Sequence, residues 1–147
     1  MITVDDSLWP LVKVDFVGSN TLQDLESYLT SMDRCVQRGD RYLAIFDTLR
    51  LTTAPSMELR KRQIEWLTKN DALLRQRCLG NAFVITSPFI RLALSIMYQL
   101  QPPPMPYTVV GDLKTAQDWV SRRLQAAGLS LPLAASRQGV GGVGRAW

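Results

Sequence analysis

The sequence has no histidine and only two cysteines in 147 residues. Without histidine the chain lacks the commonest general base and the commonest metal ligand, which argues against hydrolase triads and zinc sites. Cys35 and Cys78 are too far apart in sequence to form a metal or redox motif, so we interpret them as reduced thiols on helix faces. We therefore expect neither a metal nor a cofactor.

The sequence also lacks a hydrophobic run long enough to cross a bilayer. Its longest nearly apolar stretch, Pro88 to Leu100, contains Arg91 and falls short of the roughly 20 residues that a membrane span needs. The N-terminal sequence MITVDDSLW has no basic segment before an apolar one, so we expect no secretory signal and a cytoplasmic protein. The basic excess, 17 residues against 13 acidic ones, is modest and dispersed, so we expect no nucleic-acid partner.

The apolar pattern predicts one α/β domain over residues 1–129. Period-two alternation near the N-terminus indicates two antiparallel strands at a sheet edge, and a helix and three strand-helix units follow them. The predicted fold is a mixed sheet of about five strands with about four helices. The predicted strands are Ile2–Val4, Leu11–Val17, Tyr42–Phe46, Ala82–Ile85 and Tyr107–Val110. Residues 130–147 are rich in glycine and small side chains and are predicted to be a flexible tail.

Hydroxyl and carboxylate side chains stand where each helix is predicted to begin. These candidate caps are Thr21 with Asp24, Ser56, Ser87 before Pro88, and Asp112. The second helix is the longest, and we predict that it extends from about Ser56 to Cys78 and that Gly80 terminates it.

The loop after the central strand is the first candidate for a functional site. Asp47 ends the predicted strand, and the polar residues Thr48, Thr52, Thr53 and Ser56 follow it. In open α/β sheets, ligands and partners bind at the loops that follow the carboxyl ends of the strands. We therefore predict that this loop takes part in binding a partner.

The helix after this loop carries two apolar stripes, and the first is expected to cover the sheet. Leu59, Trp66 and Leu73, spaced seven residues apart, form the second stripe. One interpretation is that this stripe packs on a neighbouring helix of the same layer. The other is that it is partly exposed and binds another chain.

The helix predicted to follow Pro88 has almost no polar face. Such a helix is either buried on most sides or covers an interface or an apolar pocket. The candidate residues for an apolar ligand are Phe89, Leu92, Ile96, Met97 and Leu100.

The predicted order of elements resembles that of the STAS domains, the sulfate transporter and anti-sigma factor antagonist family. Phospho-switch members of that family have a strand ending in aspartate and, a short loop later, an Asp-Ser-Ser-Gly-like run that opens a helix. Asp47 matches the aspartate, and Ser56 falls within about one residue of the phosphorylatable serine. Pro55 and the Met57-Glu58 pair depart from the pattern. The resemblance implies a non-catalytic, SpoIIAA-like regulatory module with Ser56 as a candidate phosphorylation site.

Two kinds of function remain open on this evidence. The preferred one is a regulatory or scaffolding module that binds another protein, or itself as a homodimer, through the loop Thr48–Ser56 and the stripe containing Leu59 and Trp66. The alternative is a binding module for a lipid or other apolar small molecule, because some divergent STAS-like proteins also resemble the SEC14 lipid-transfer fold.

We do not expect an enzyme. Catalysis would have to use Asp47, Thr86 or Asp112 at strand ends, or Cys35 as a nucleophile. Carboxylates at strand ends commonly act as caps, and the sequence places no second group to activate Cys35.

Overall fold

The computed structural model describes residues 1–132 as a sheet with helices on both faces. The strands are β1 (Ile2–Leu8), β2 (Leu11–Gly18), β3 (Tyr42–Leu51), β4 (Cys78–Val84) and β5 (Tyr107–Val110). The helices are α1 (Leu22–Gln37), α2 (Met57–Lys69), α3 (Asp71–Arg77), α4 (Pro88–Leu100) and α5 (Leu113–Ala126). Most of the predicted tail, residues 133–147, lies outside the described residues.

The sheet has five strands in the order β1-β2-β3-β4-β5. The edge strand β1 runs antiparallel to β2, and every other neighbouring pair is parallel. The prediction of a mixed α/β sheet is therefore confirmed. The described residues contain five helices rather than about four, because the predicted second helix is divided.

The division lies at Asn70, between α2 and α3. Its backbone leaves the helical region, with φ at −102° and ψ at 10°, and its side-chain Nδ2 donates a 2.9 Å hydrogen bond to the carbonyl oxygen of Trp66. The side chain thus satisfies a backbone acceptor where the regular helix stops.

The prediction that Gly80 ends a helix is wrong, because Gly80 lies inside β4. A Cβ at this position would stand 2.6 Å from Cη2 of Trp119 on α5, which is closer than two carbon atoms can approach. Glycine is therefore required by the packing of a distant helix on the strand rather than by the end of a nearby one.

The predicted helix caps are all present. Ser56 Oγ accepts the backbone N–H of Leu59, and Ser87 and Asp112 cap α4 and α5 in the same way. Thr21 and Asp24 form a reciprocal capping box on α1. In this box the Asp24 carboxylate accepts a hydrogen bond from the backbone N–H of Thr21, and this bond lowers the pKa of the Asp24 carboxyl group.

Alternating side chains of the strands supply two apolar cores on opposite faces of the sheet. Tyr42, Ala44 and Phe46 of β3 enter the larger core, which α1, α2, α3 and α4 cover. Leu43 and Ile45 enter the smaller core, which α5 covers. Within residues 1–132, no helix has the length and the apolar character needed to cross a membrane.

Candidate functional site

The larger core encloses a cavity of about 240 Å³ between the sheet and helices α1, α2 and α4. Its floor is aromatic: Phe46 and Phe83 from adjacent parallel strands stack with their ring centroids 4.9 Å apart. Phe16 and Tyr28 extend this aromatic surface on one side, and Tyr98 extends it on the other. A cavity bounded mainly by aromatic and aliphatic side chains suits an apolar occupant.

Helix α4 forms the roof of the cavity with one of its two apolar faces. Residues on this inner face line the cavity: Ile90, Ala93, Leu94, Met97 and Tyr98. They follow the i, i+3, i+4, i+7 spacing of one helix face. The smallest of them, Ala93, contributes only a methyl group opposite the sheet.

Few polar side chains lie deep in the lining of the cavity. The Thr48 hydroxyl donates a 2.7 Å hydrogen bond to a backbone carbonyl of β4. Tyr28 and Tyr98 also line the cavity, as do the amide side chains of Gln63 and Asn81. Burial raises the pKa of both phenols, so they stay protonated at neutral pH. The interior therefore offers an occupant mainly apolar contact.

The cavity opens at the carboxyl ends of β2 and β3. Three residues of the lining are fully exposed, and all three lie in the loops that follow these strands: Ser19, Thr53 and Ser56. Arg60, on the first turn of α2, is half-buried and also lines the cavity, and its guanidinium Nη1 lies 3.1 Å from the carbonyl oxygen of Pro55 in the same loop. The opening is thus polar and cationic, whereas the interior is apolar.

The structure brings together residues that the sequence had assigned to two separate sites. From the predicted partner surface and the predicted apolar pocket, six residues line this single cavity: Thr48, Thr53, Ser56, Leu59, Trp66 and Met97. The loop after β3 and helix α4 therefore belong to the same site.

The expectation that the second stripe of α2 is partly exposed is wrong. Leu59 is 9% exposed and Trp66 4%, and Leu73, which lies on α3, is half-buried against the same core. The indole Nε1 of Trp66 donates a 2.8 Å hydrogen bond to the carboxylate of Asp33 on α1. These side chains join helices of one layer, so another chain cannot contact Leu59 or Trp66 in the folded protein.

Asp47 lies apart from the cavity, on the sheet face that carries α5. It is buried, and one carboxylate oxygen lies 3.6 Å from Nζ of Lys13, which also contacts Asp15 at 3.0 Å. Thr52 is exposed but does not belong to the lining. The polar loop predicted as one surface is therefore divided between two faces of the sheet.

Four of the five residues predicted to line an apolar pocket lie on the outer face of α4, so that prediction is wrong for them. Phe89 is 76% exposed and Leu100 70%, and Leu92 and Ile96 are also exposed. Because Arg91, Ser95 and Gln99 form only a narrow polar strip on α4, its sequence could not show which of the two apolar faces meets the sheet. Only Met97 of the predicted set lies in the lining.

Residues that the sequence analysis missed form most of the lining. The aromatic floor comes from Phe16, Phe46 and Phe83, each on the strand face opposite α5. Strand alternation does indicate which side chains share a face. It does not indicate that the helices above them leave a space, so no pattern in the sequence predicts this cavity.

The groups considered for catalysis do not form a reactive site. Asp112 caps α5, and Thr86 is exposed. Both cysteines are buried, and burial raises the pKa of the Cys78 thiol to about 12 and also raises that of Cys35, so neither is a ready nucleophile. Among residues 1–132, no cluster of three or more histidine, cysteine or acidic residues could hold a metal ion.

Comparison with known proteins identifies the fold. No protein-family model matches the sequence, and no curated protein does so. Several solved structures are similar, and two of them show the likeness. One is an uncharacterized protein of the DUF3478 family with a SpoIIAA-like fold from Shewanella loihica PV-4, with a TM-score of 0.61 and 15% identity over 82% of this chain and 92% of that chain. The other is the anti-sigma factor antagonist SpoIIAA in its unphosphorylated form, with a TM-score of 0.56 and 12% identity over 83% of this chain and 98% of that chain.

At these identities the likeness shows the fold alone. The chain has the SpoIIAA-like, STAS-type fold, and the resemblance that the order of elements predicts is confirmed at that level. What the protein binds has to be argued from its own residues.

Proposed function

We propose that this protein is a binding module for an apolar small molecule, held in the cavity between the sheet and helices α1, α2 and α4. The observation that carries the proposal is a cavity of about 240 Å³ lined mainly by aromatic and aliphatic side chains. Protein interiors are close-packed, so a cavity of this size is unusual in a domain of 132 described residues.

The size of the cavity supports an occupant rather than a packing defect. An engineered apolar cavity of about 150 Å³ in another protein stays dry and binds benzene. At roughly 24 cal/mol per Å³, a sealed empty cavity of 240 Å³ would cost about 6 kcal/mol, which is the upper limit for this cavity because it opens to solvent. A typical domain has only about 5–15 kcal/mol of total stability, so an apolar ligand that fills the space stabilises the fold substantially.

The chain's five methionines provide a direct test. Met32, Met97 and Met105 line the cavity, whereas Met1 and Met57 are exposed outside it. We expect that adding n-butylbenzene to delipidated protein with ¹³C-labelled methionine methyl groups shifts the first three signals saturably. The signals of Met1 and Met57 are expected to stay in place, because those methyl groups do not touch the ligand.

Two results would overturn the proposal. One is an absence of any saturable shift on Met32, Met97 and Met105 up to the solubility limit of n-butylbenzene. The other is equal shifts on all five methionines, which would mean that the hydrocarbon binds the surface without specificity.

A second candidate function is a regulatory protein-interaction module that acts as a homodimer, as expected for a SpoIIAA-like fold. The outer stripe of α4 favours it, because Phe89, Leu92, Ile96 and Leu100 leave one helix face apolar and exposed. A continuous apolar stripe is self-complementary across a two-fold axis. Ser56, exposed at the opening of the cavity, remains the candidate phosphorylation site of such a module.

Sedimentation velocity over a range of concentrations tests the dimer. We expect the wild-type protein to sediment as a dimer and the Leu92→Glu variant as a monomer, because the new charge would lie within the apolar contact. Ser95→Glu on the same helix, at an exposed polar position outside the stripe, serves as the matched control and should remain dimeric. A wild-type protein that is monomeric at every concentration would rule out this candidate.

A further inference from the structure

We infer that the ligand of the cavity is a single-chain fatty acid of about eight carbons, whose carboxylate is bound at the opening by Arg60. The inference rests on the proposed function and adds the chemical class of the ligand. It follows from three observations: the hydrogen bonding of Arg60, the position of Ser56 one turn away, and the volume of the interior.

Arg60 has donors to spare at the opening of the cavity. Its Nη1 donates a 3.1 Å hydrogen bond to the carbonyl oxygen of Pro55, which holds the guanidinium group against the loop. In the part of the chain that the structure describes, no carboxylate lies within ion-pair distance of Arg60. Its neighbour Arg62 differs, because its Nη2 contacts the Glu26 carboxylate at 3.2 Å. A guanidinium group with free donors is suited to bind a carboxylate.

Ser56 supplies a second donor on the same side of α2. The backbone N–H of Arg60 is bonded to the carbonyl oxygen of Ser56 at 3.0 Å, so the two residues stand one helical turn apart. The Ser56 oxygen accepts from Leu59, but its own O–H proton remains available to a ligand. Both residues belong to the lining of the cavity.

The volume of the interior limits the size of the apolar part of the ligand. An apolar cavity of about 150 Å³ binds benzene, which has six carbons, so 240 Å³ has room for one short acyl chain and too little for two long ones. A charged headgroup cannot be buried in the interior, because the mainly aromatic and aliphatic lining would leave the charge unsolvated. The carboxylate therefore has to remain at the opening, where Arg60 lies.

Calorimetric titration of delipidated protein with octanoate and with 1-octanol tests the inference. We expect octanoate to bind at least about tenfold more tightly than octanol, because a hydrogen bond to a charged group is stronger than one to a neutral group. Arg60→Gln should remove most of that preference, because it should lower the affinity for octanoate far more than the affinity for octanol. Lys61→Gln removes one positive charge from an exposed neighbouring position outside the lining and should have no effect.

Chain length gives an independent readout. From butanoate to octanoate we expect the affinity to rise about fourfold with each methylene, and then to level off because longer chains have no further apolar wall to contact. A constant rise through tetradecanoate would mean that the chain lies along the surface, and it would overturn the stated ligand length.

The outcomes separate this inference from the proposed function. If n-butylbenzene and octanol bind but octanoate shows no preference, or if Arg60→Gln and Lys61→Gln behave alike, the fatty-acid assignment is wrong and the apolar binding function stands. If none of the three ligands binds, both are wrong.

Discussion

Changing Trp66 to glutamate is expected to unfold the domain. The side chain is 4% exposed, and its indole packs among α1, α2 and the sheet. Removing a buried tryptophan costs about 3–5 kcal/mol, and a carboxylate placed near that of Asp33 would add desolvation and like-charge repulsion. The sum approaches or exceeds the roughly 5–15 kcal/mol that holds a typical domain together.

Circular dichroism and urea denaturation measure this effect. Trp66→Phe should remain folded with a loss of about 1–3 kcal/mol, because it keeps most of the packing and loses the bond to Asp33, an exposed residue that water can solvate. Lys61→Glu places the same charge at an exposed position of α2 and should change stability by less than about 0.5 kcal/mol. If the Trp66→Glu variant unfolded cooperatively at the same urea concentration as the wild-type protein, the side chain of Trp66 could not be buried in the core.

Features of the fold that depend on adjacent residues can be predicted from the sequence. Ser87 precedes Pro88, and Asp112 precedes the last helix. Each marks the start of a helix because its side chain accepts a hydrogen bond from a backbone N–H three residues further on. The β1–β2 pair is likewise marked by its alternation of apolar and polar residues. Such signals locate every strand and nearly every helix.

Features that depend on distant packing or on a competing side-chain hydrogen bond are the ones the sequence misplaces. Gly80 resembles a helix terminator, but its role is to leave room for Trp119, which is far away in sequence. Asn70 ends α2 with a side-chain hydrogen bond that a helix of the same composition need not form. The packing of another element decides the conformation at Gly80, and a side-chain hydrogen bond that competes with the regular helix decides it at Asn70. The periodic pattern of apolar residues carries no information on either effect.

The candidate site shows the same limit. Thr48, Thr53 and Ser56 were identified because polar residues after a buried strand are conspicuous. Their partners across the cavity, such as Phe83 and Ile90, look like any other core residues. Whether a core residue borders a void depends on how three helices meet the sheet, and the volume left between them is a property of the assembled layers rather than of any one element.

The site also explains why the two readings of the sequence are compatible. The protein-binding hypothesis needs an exposed apolar surface, and the small-molecule hypothesis needs an enclosed one. Helix α4 supplies both, because Phe89 and Leu92 point outward while Ile90 and Ala93 line the cavity. A ligand beneath α4 would fix the position of this helix and so affect the stripe on its outer face.

Replacing Ala93 by phenylalanine is expected to abolish binding of the apolar ligand without destabilising the fold. Ala93 is 4% exposed and lines the cavity from the inner face of α4. A benzyl group there would occupy much of the space that the ligand needs, so the affinity for n-butylbenzene and octanoate should fall more than about tenfold. Adding buried apolar surface to an existing space commonly stabilises a protein by about 0.5–2 kcal/mol, whereas overpacking a filled core costs about 1–3 kcal/mol.

Ser95→Phe is the matched control, since it adds the same ring to an exposed position of the same helix. It should leave both ligand affinity and unfolding free energy close to the wild-type values. The sign of the stability change in Ala93→Phe therefore reports directly on the cavity. A clear loss of stability, by urea denaturation of ligand-free protein, would mean that the core beneath α4 is already filled and that no ligand enters it. A gain in stability together with lost binding would mean that the phenyl ring has taken the ligand's place.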